Sequence, residues 1–382
     1  MLNAEHKITV IGAGTMGMGI AHIAAIAGHE VYLYDRDPKA IQKALQKIQH
    51  FLNRGVEKGR MDDSQAKAVF GRLYAIENLE SISDSKLVVE AIIEDLGIKQ
   101  DLFRQLEEIV SDDCILASNT SSLSISAIAG GLNKPERFIG LHFFNPAPLM
   151  KLVEVIPAVQ SSKETGEDCF RLMENWGKLP VYAKDTPGFI VNRVARPFYS
   201  EALRILEEGL ANELTIDTAM KEIGGFKMGP FQLMDFIGHD VNFKVTESVW
   251  KSFYHEPRYK PSFTQKNLVA AGYLGKKSGK GFYDYNSETP PEEQMEIDRS
   301  VLQPVFDRII SLLINEACDA AFWGVGTVDA IDTAMRYGVN YPKGLLAWGK
   351  EIGWDKIKNT LNELHTIYRE ERYRPSPYLL KV

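Results

Sequence analysis

Two side chains twelve residues apart, His142 and Glu154 in the run HFFNPAPLMKLVEV, offer a proton acceptor and a carboxylate able to orient it. Far upstream, Gly12, Gly14 and Gly17 have the spacing of a glycine turn that brings a pyrophosphate to a helix N-terminus. Hydride transfer from a hydroxyl-bearing carbon requires a group that takes the hydroxyl proton, and an imidazole with a pKa of about 6.5 can do so at neutral pH. A base, its counter-charge and a berth for a hydride carrier are the parts an alcohol dehydrogenation needs. His142 is the best placed of the eight histidines, because it ends an apolar strand-like run, where open α/β sheets bind ligands. A lone histidine there is more often a satisfied core residue. Glu154, inside the apolar stretch Leu152 to Ile156, shifts that balance, since an inward carboxylate is costly without a cation. Taken alone, Glu154 could equally pair with Lys151.

The glycine turn gains meaning from its context. Gly12-Ala-Gly14-Thr-Met-Gly17 follows a strand-like run and opens a helix-like one. Gly12 permits the tight turn, Gly14 the approach of a pyrophosphate, and Gly17 close packing of helix on strand. Asp35, eighteen residues beyond Gly17 at the end of the next strand, is placed to accept hydrogen bonds from an adenosine ribose. That carboxylate favours NAD over NADP, whose 2′-phosphate it would repel, although the adjacent Arg36 could accommodate a phosphate. The plain alternative is a glycine turn that packs without a ligand.

These residues need elements to hold them. From Lys7 to about Ala183, short β-branched runs (Ile8 to Ile11, Val31 to Tyr34, Leu87 to Ala91, Ile115 to Ala117, Phe138 to His142) alternate with longer helix-like segments. The alternation predicts an α/β Rossmann-like domain with a mostly parallel sheet. Pro38 to Phe70 is polar and long enough for two helices, an exposed pair inserted after the second strand. Beyond Thr186-Pro187-Gly188 the strand signals fade, and Phe189 to Leu210 reads as amphipathic helix interrupted near Pro197. Two tandem all-α modules follow, because the helical part is duplicated. Sliding the chain by 115 residues superposes Ile216-Asp-Thr-Ala-Met220 on Ile331-Asp-Thr-Ala-Met335 and Glu201-Ala202 on Glu316-Ala317. The same register matches Gly209 to Gly324, Gly229 to Gly344, Gly238 to Gly353 and Asp240 to Asp355. The expected domains are residues 1–185, 186–290 and 291–382, with a polar linker at Asn286 to Arg299.

Composition bounds the function classes. A chain of 382 residues with 45% apolar side chains can bury more than one core, and a net charge of −7 without a long basic run argues against a nucleic-acid surface. The local cluster Lys276, Lys277 and Lys280 could still meet a phosphorylated ligand. Cys114, Cys169 and Cys318 are too scattered for a zinc knot or a disulfide framework, which suits a reducing cytoplasm. No apolar stretch approaches the ~18 residues of a membrane span. A first strand at Ile8 leaves no room for a leader, and no clustered metal-ligand set is evident.

Several runs together carry a resemblance. Ser118-Asn-Thr-Ser-Ser122, His142-Phe-Phe-Asn-Pro146, Leu152-Val-Glu-Val155, Asp185-Thr-Pro-Gly-Phe-Ile-Val-Asn-Arg193 and Leu274-Gly-Lys-Lys-Ser-Gly-Lys-Gly-Phe-Tyr283 resemble the L-3-hydroxyacyl-CoA dehydrogenase family over roughly residues 5 to 285. The last hundred residues resemble the second helical repeat of its longer members. The resemblance implies NAD as cofactor, an acyl-CoA substrate and oxidation of a (S)-3-hydroxyacyl thioester to the 3-oxo form. By position it implies that His142 is the base, that Glu154 orients it, and that Ser121 and Asn192 meet the substrate's C3 oxygen. It puts Asn119, Glu94 and Lys99 near the nicotinamide half of the cofactor and Lys58 at the CoA phosphates. Each has a plainer reading: Ser121 and Asn192 as caps, Glu94 as a helix-start charge, Lys99 and Lys58 as solvated lysines.

Two rivals remain at this point. A dehydrogenase of a free hydroxy or sugar acid could use the same scaffold, and a non-catalytic dinucleotide-binding protein could keep the turn alone. His142-Phe-Phe-Asn-Pro146 and the basic CoA-side candidates weigh against the first, and the complete set His142, Glu154, Ser121 and Asn192 against the second. Expected partners are a separate enoyl-CoA hydratase or thiolase, and a homo-oligomer is an open option. The second helical repeat has Asp307 where the first has Asn192, so it is expected to pack as a pseudo-two-fold mate on residues 189–285 rather than to form a second active site.

Overall fold

The structure, a computed structural model, describes every residue except Met1 and Ala4. Its backbone divides into two compact units, residues 1–189 and 190–382.

The first unit is built on a sheet of order β3-β2-β1-β4-β5-β6-β7-β8. Its strands are β1 (Ile8–Ile11), β2 (Val31–Tyr34), β3 (Leu73–Ala75), β4 (Leu87–Glu90), β5 (Ile115–Ser118), β6 (Phe138–Phe143), β7 (Leu152–Pro157) and β8 (Leu179–Tyr182). β1 pairs in parallel with both β2 and β4, so the strand order reverses there and opens a crevice at the carboxyl ends of β1 and β4. The helices are α1 (Thr15–Ile26), α2 (Pro38–Glu57), α3 (Asp63–Phe70), α4 (Leu96–Ile109), α5 (Ile125–Ala129) and α6 (Lys163–Asn175). Ile8, Val10, Leu33 and Val89 from the sheet share one core with Ile20 and Ala24 of α1, Ile48 of α2 and Met173 of α6. The inserted helical pair is present as α2 and α3. Asp37 caps α2 with Pro38 at its first turn, and Asp62 with Gln65 forms a capping box on α3.

Three strands lie outside the expected β-branched runs, and one of them, β7, is the apolar stretch that holds Glu154. β3 is three residues long, too short for a periodic signal. β8 contains Pro180, which argues against a strand in the sheet interior but is tolerated because β8 is the edge. The sheet is parallel except where β7 runs antiparallel to β6.

The second unit is helical and internally repeated. Its first half contains α7 (Val191–Val194), α8 (Arg196–Glu207), α9 (Glu213–Thr218), α10 (Pro230–Ile237), α11 (His239–Ser252) and α12 (Phe263–Ala270). The break between α7 and α8 at Ala195 precedes Pro197, as its ring requires. The second half contains α13 (Leu302–Phe322), α14 (Val328–Gly338), α15 (Leu345–Ile352) and α16 (Trp354–Tyr368). α14, α15 and α16 each begin 115 residues after α9, α10 and α11. Local detail repeats as well. Asp217 accepts hydrogen bonds from the Phe231 and Gln232 backbones at the start of α10, and Asp332 does the same for Leu346 and Ala347 at the start of α15.

The halves pack on each other through reciprocal buried ion pairs. Arg193 meets Glu316 at 2.7 Å, and its counterpart Arg308 meets Glu201, the counterpart of Glu316, at 2.6 Å. Tyr259 donates to Glu316 at 2.5 Å and Tyr373 to Glu201 at 2.7 Å. These tyrosines sit in Arg258-Tyr-Lys-Pro-Ser262 and Arg372-Tyr-Arg-Pro-Ser376, a second repeat signature one residue out of the 115-residue register. That one-residue slip hides it from an ungapped comparison. Among the described residues, no helix is long and apolar enough to cross a membrane.

Candidate active site

His142 and Glu154 are directly opposite each other in the β6–β7 register, so the two side chains emerge on the same face of the sheet. The imidazole Nδ1 lies 2.6 Å from Glu154 Oε2, with the glutamate fully buried and the histidine 6% exposed. Both are shielded from bulk water, and Nε2 is left as the ring's other proton-transfer atom. Rings of Phe144 and Phe189 stand 4.5 and 5.8 Å from the imidazole and give it apolar walls. Glu154 thus pairs with the histidine across the ladder.

The segment after β6 is pinned from beneath. Lys178, 8% exposed, donates to the carbonyls of Ala147 and Met150 at 2.6 and 2.8 Å, and burial pushes its ammonium down to about 8. Ala147 and Pro148 lie against Gly19 of α1, where an added Cβ would come within 3.0 Å of Ala147. The loop that follows His142 is therefore fixed to the helix that starts at the glycine turn.

Ser121 belongs to the β5–α5 loop, which is organised by Glu94. One oxygen of that carboxylate accepts from Thr120 Oγ1 at 2.6 Å, from the Ser121 and Ser122 backbones at 3.0 and 3.1 Å and from Ser122 Oγ at 2.9 Å. Burial alone would raise the pKa of Glu94. The hydrogen bonds from Thr120 and Ser122 and the charge of Lys99 outweigh it and hold the carboxyl below its ordinary value. Asn119 accepts from the Phe143 backbone at 2.9 Å, tying the loop to the end of β6 beside His142.

Lys99 is not a solvated lysine. It is 1% exposed and paired with Glu90 at 2.5 Å, with Glu94 at 3.5 Å. Glu90, which sequence reasoning passed over, is fully buried and also accepts from Ser118 Oγ and the Ile92 backbone, each at 2.7 Å. The signal that singles out Glu154, a carboxylate within an apolar run, is equally present in Leu87-Val-Val-Glu90.

The glycine turn fits a dinucleotide. Gly12 has φ +102°, and a Cβ there would lie 2.5 Å from the Ala91 carbonyl, while a Cβ on Gly17 would overlap the Gly12 carbonyl. Gly14 differs, because a Cβ on it would meet nothing within 4 Å, so its backbone faces open space into which a phosphate can come. Asp35 accepts from the Ala13 backbone at 2.7 Å and the Asp37 backbone at 3.0 Å, fixing the turn as well as offering charge to a ribose. A cleft of about 510 Å³ runs from Gly12 and Gly14 past Asp35 and Arg36 to α4.

Two further predicted residues lie on helices. Lys58 is exposed at the C-terminal cap of α2. Asn192 is half-buried on α7 in the other unit. Among the described residues there is no cluster of three or more His, Cys, Asp or Glu able to hold a metal ion.

Residues 7–186 match the model of the 3-hydroxyacyl-CoA dehydrogenase NAD binding domain, and residues 188–285 and 305–382 match that of the 3-hydroxyacyl-CoA dehydrogenase C-terminal domain. The chain is 39% identical to 3-hydroxyadipyl-CoA dehydrogenase of Escherichia coli K12 over 99% of its own length and 97% of that protein's. It is 44% identical to a probable 3-hydroxybutyryl-CoA dehydrogenase of Bacillus subtilis, over 74% of this chain and 98% of the relative. A crystal structure described as 3-hydroxybutyryl-CoA dehydrogenase from E. coli K12 superposes with a TM-score of 0.95 at 38% identity, covering 100% of this chain and 98% of the other.

Proposed function

From the premise that this chain belongs to the 3-hydroxyacyl-CoA dehydrogenase family, we propose that His142 and Glu154 are its proton-transfer pair in the oxidation of a (S)-3-hydroxyacyl-CoA to the 3-oxoacyl-CoA. The observation that carries this reading is the buried 2.6 Å contact between them at the carboxyl end of the sheet. NAD, held at the glycine turn by Gly12, Gly14, Gly17 and Asp35, would supply the hydride acceptor for C3. His142 Nε2 takes the hydroxyl proton, and the Glu154 carboxylate at Nδ1 holds the ring in one orientation and stabilises the imidazolium. In the reverse direction the imidazolium returns the proton. Ser121 and Asn192 bind the C3 oxygen in this reading. Glu90, Lys99, Glu94 and Asn119 act through the loop, keeping Ser121 at its station. Gly12, Gly14, Gly17 and Asp35 hold the dinucleotide, and Lys58 offers a positive charge to the CoA phosphates.

The E. coli relative that aligns along both helical halves acts, by its name, on a thioester with a second carboxylate, which makes 3-hydroxyadipyl-CoA the first substrate to try. The chemistry also requires other enzymes: a hydratase to supply the 3-hydroxy thioester and a thiolase to consume the product. Three free, buried thiols suit the cytoplasm. The test is NADH formation at 340 nm from (S)-3-hydroxyadipyl-CoA, from (S)-3-hydroxybutyryl-CoA and from the matching free acids. Turnover of thioesters but not free acids is expected, and preference for a free acid overturns the reading.

A further inference from the structure

The cleft at the glycine turn reaches past Asp35 and Arg36 to α4. Its far wall is one face of α4, where Ile98, Asp101, Leu102 and Gln105 recur at helical spacing. The adjoining face of α4, Lys99, Phe103 and Leu106, is buried. The cleft-side stripe is thus a second, solvent-facing pattern on the same helix. Two of its features are unusual for solvated surface. Ile98 is 40% exposed and Ile93, which also lines the cleft, is 57% exposed, so apolar area lies open where a flat ring would cover it. Asp101 and Gln105, one turn apart, place a carboxylate and an amide at the rim of that apolar patch. The Arg104 partner of Asp101, at 3.0 Å, is itself 53% exposed, so the ion pair costs little to rearrange.

We propose that Asp101 and Gln105 read the hydrogen-bonding edge of the cofactor's adenine, making the base a specificity determinant of this site. The inference rests on the cofactor reading above and adds residues to it. A carboxylate only accepts hydrogen bonds, so Asp101 suits the exocyclic amine of adenine. Gln105 can donate its amide to a ring nitrogen. Hypoxanthine has a carbonyl oxygen in place of the amine and an N–H at the neighbouring ring position. It would set oxygen against the Asp101 carboxylate, a repulsion that Gln105 offsets only in part by turning its amide to accept from the N–H.

The experiment is a fluorescence titration of the full chain with NADH and with its hypoxanthine analogue, a binding readout independent of turnover. The unmodified protein is expected to bind NADH about tenfold more tightly than the analogue. In Asp101→Leu/Gln105→Leu the preference should shrink to less than about twofold, and in Asp101→Asn, which can donate to the hypoxanthine oxygen, it should narrow or reverse. Both positions are exposed, so the variants should fold. Equal binding of the two nucleotides by the unmodified protein, or a preference that survives in the double variant, overturns the proposal and leaves the cofactor site intact. Failure of the unmodified protein to bind either nucleotide overturns both.

Discussion

His142 can work as a base only while its ring is held and its charge balanced, and both requirements are met through one short contact with Glu154. His142→Gln should lower kcat by ~10²–10⁴-fold and leave NADH affinity nearly unchanged, as read by turnover and by fluorescence titration. Near-normal turnover would remove His142 from the mechanism. Glu154→Gln should impair turnover too, because the imidazolium loses its counter-charge. A second histidine gives a prediction of another kind. His22 on α1 is 7% exposed, neither ring nitrogen has a hydrogen-bond partner in the structure, and burial pushes its pKa down to about 4. In the unfolded chain the same imidazole takes up a proton near pH ~6.5. Below that value the unfolded state binds more protons, so stability present at neutral pH is lost as pH falls from ~6.5 towards ~4. At pH ~5 the loss from this residue is about 2 kcal/mol. Denaturant titrations at neutral and acid pH should show His22→Leu losing less on acidification than the unmodified protein. An equal loss in both would assign the acid sensitivity elsewhere.

Secondary structure positions these groups, and how far it is legible depends on length and burial. β1, β2, β4, β5 and β6 announce themselves as β-branched runs, and the glycine turn between β1 and α1 follows from its spacing. β3 escapes because three residues have no period, and β8 because Pro180 is acceptable only at an edge, which a local pattern does not reveal. The dyad was legible because a carboxylate in an apolar run needs a cation. Glu90 carries the same mark, but its partner Lys99 lies in a stretch that reads as a solvated helix face. The link between them exists only once α4 packs on the sheet. Lys178 is illegible for a related reason, since its partners are backbone carbonyls far back in the chain, which have no sequence signature. The glycine turn offers a test of its dual dependence on Asp35. If Asp35 excludes a 2′-phosphate, Asp35→Ser should narrow the NADH preference over NADPH. Because Asp35 also holds the Ala13 and Asp37 backbones, the variant should raise the KM for both nucleotides. An unmodified enzyme that prefers NADPH overturns the assignment, and unchanged KM values would show that the backbone contacts do not matter to the turn.

At the scale of the whole molecule, the duplication is a statement about what a helical half needs in order to stay folded. Arg193, Glu201, Arg308 and Glu316 are all buried, and each finds its opposite charge in the other half. Truncating one partner of such a pair typically costs ~3–5 kcal/mol, because the remaining charge stays in a medium that solvates it poorly. A chain ended near Asn286 loses Arg308 and Glu316 together, leaving Glu201 and Arg193 without those partners and uncovering the face of α8 on which α13 packs, with Phe198, whose ring meets Tyr341 of the second half. The 115-residue register indicates how such a chain can recover. Glu201 is the counterpart of Glu316, and Arg193 of Arg308, so two truncated copies related by a two-fold axis can set Arg193 of each against Glu201 of the other. The truncated protein should therefore dimerise, or aggregate where it fails to, and should melt at a lower temperature than the full chain. Light scattering coupled to size exclusion reads the mass, and Arg193→Glu in the truncated chain should abolish the dimer by placing like charges against each other. A soluble, fully active truncated monomer with an unchanged melting temperature would show that the second half neither covers nor supports the first.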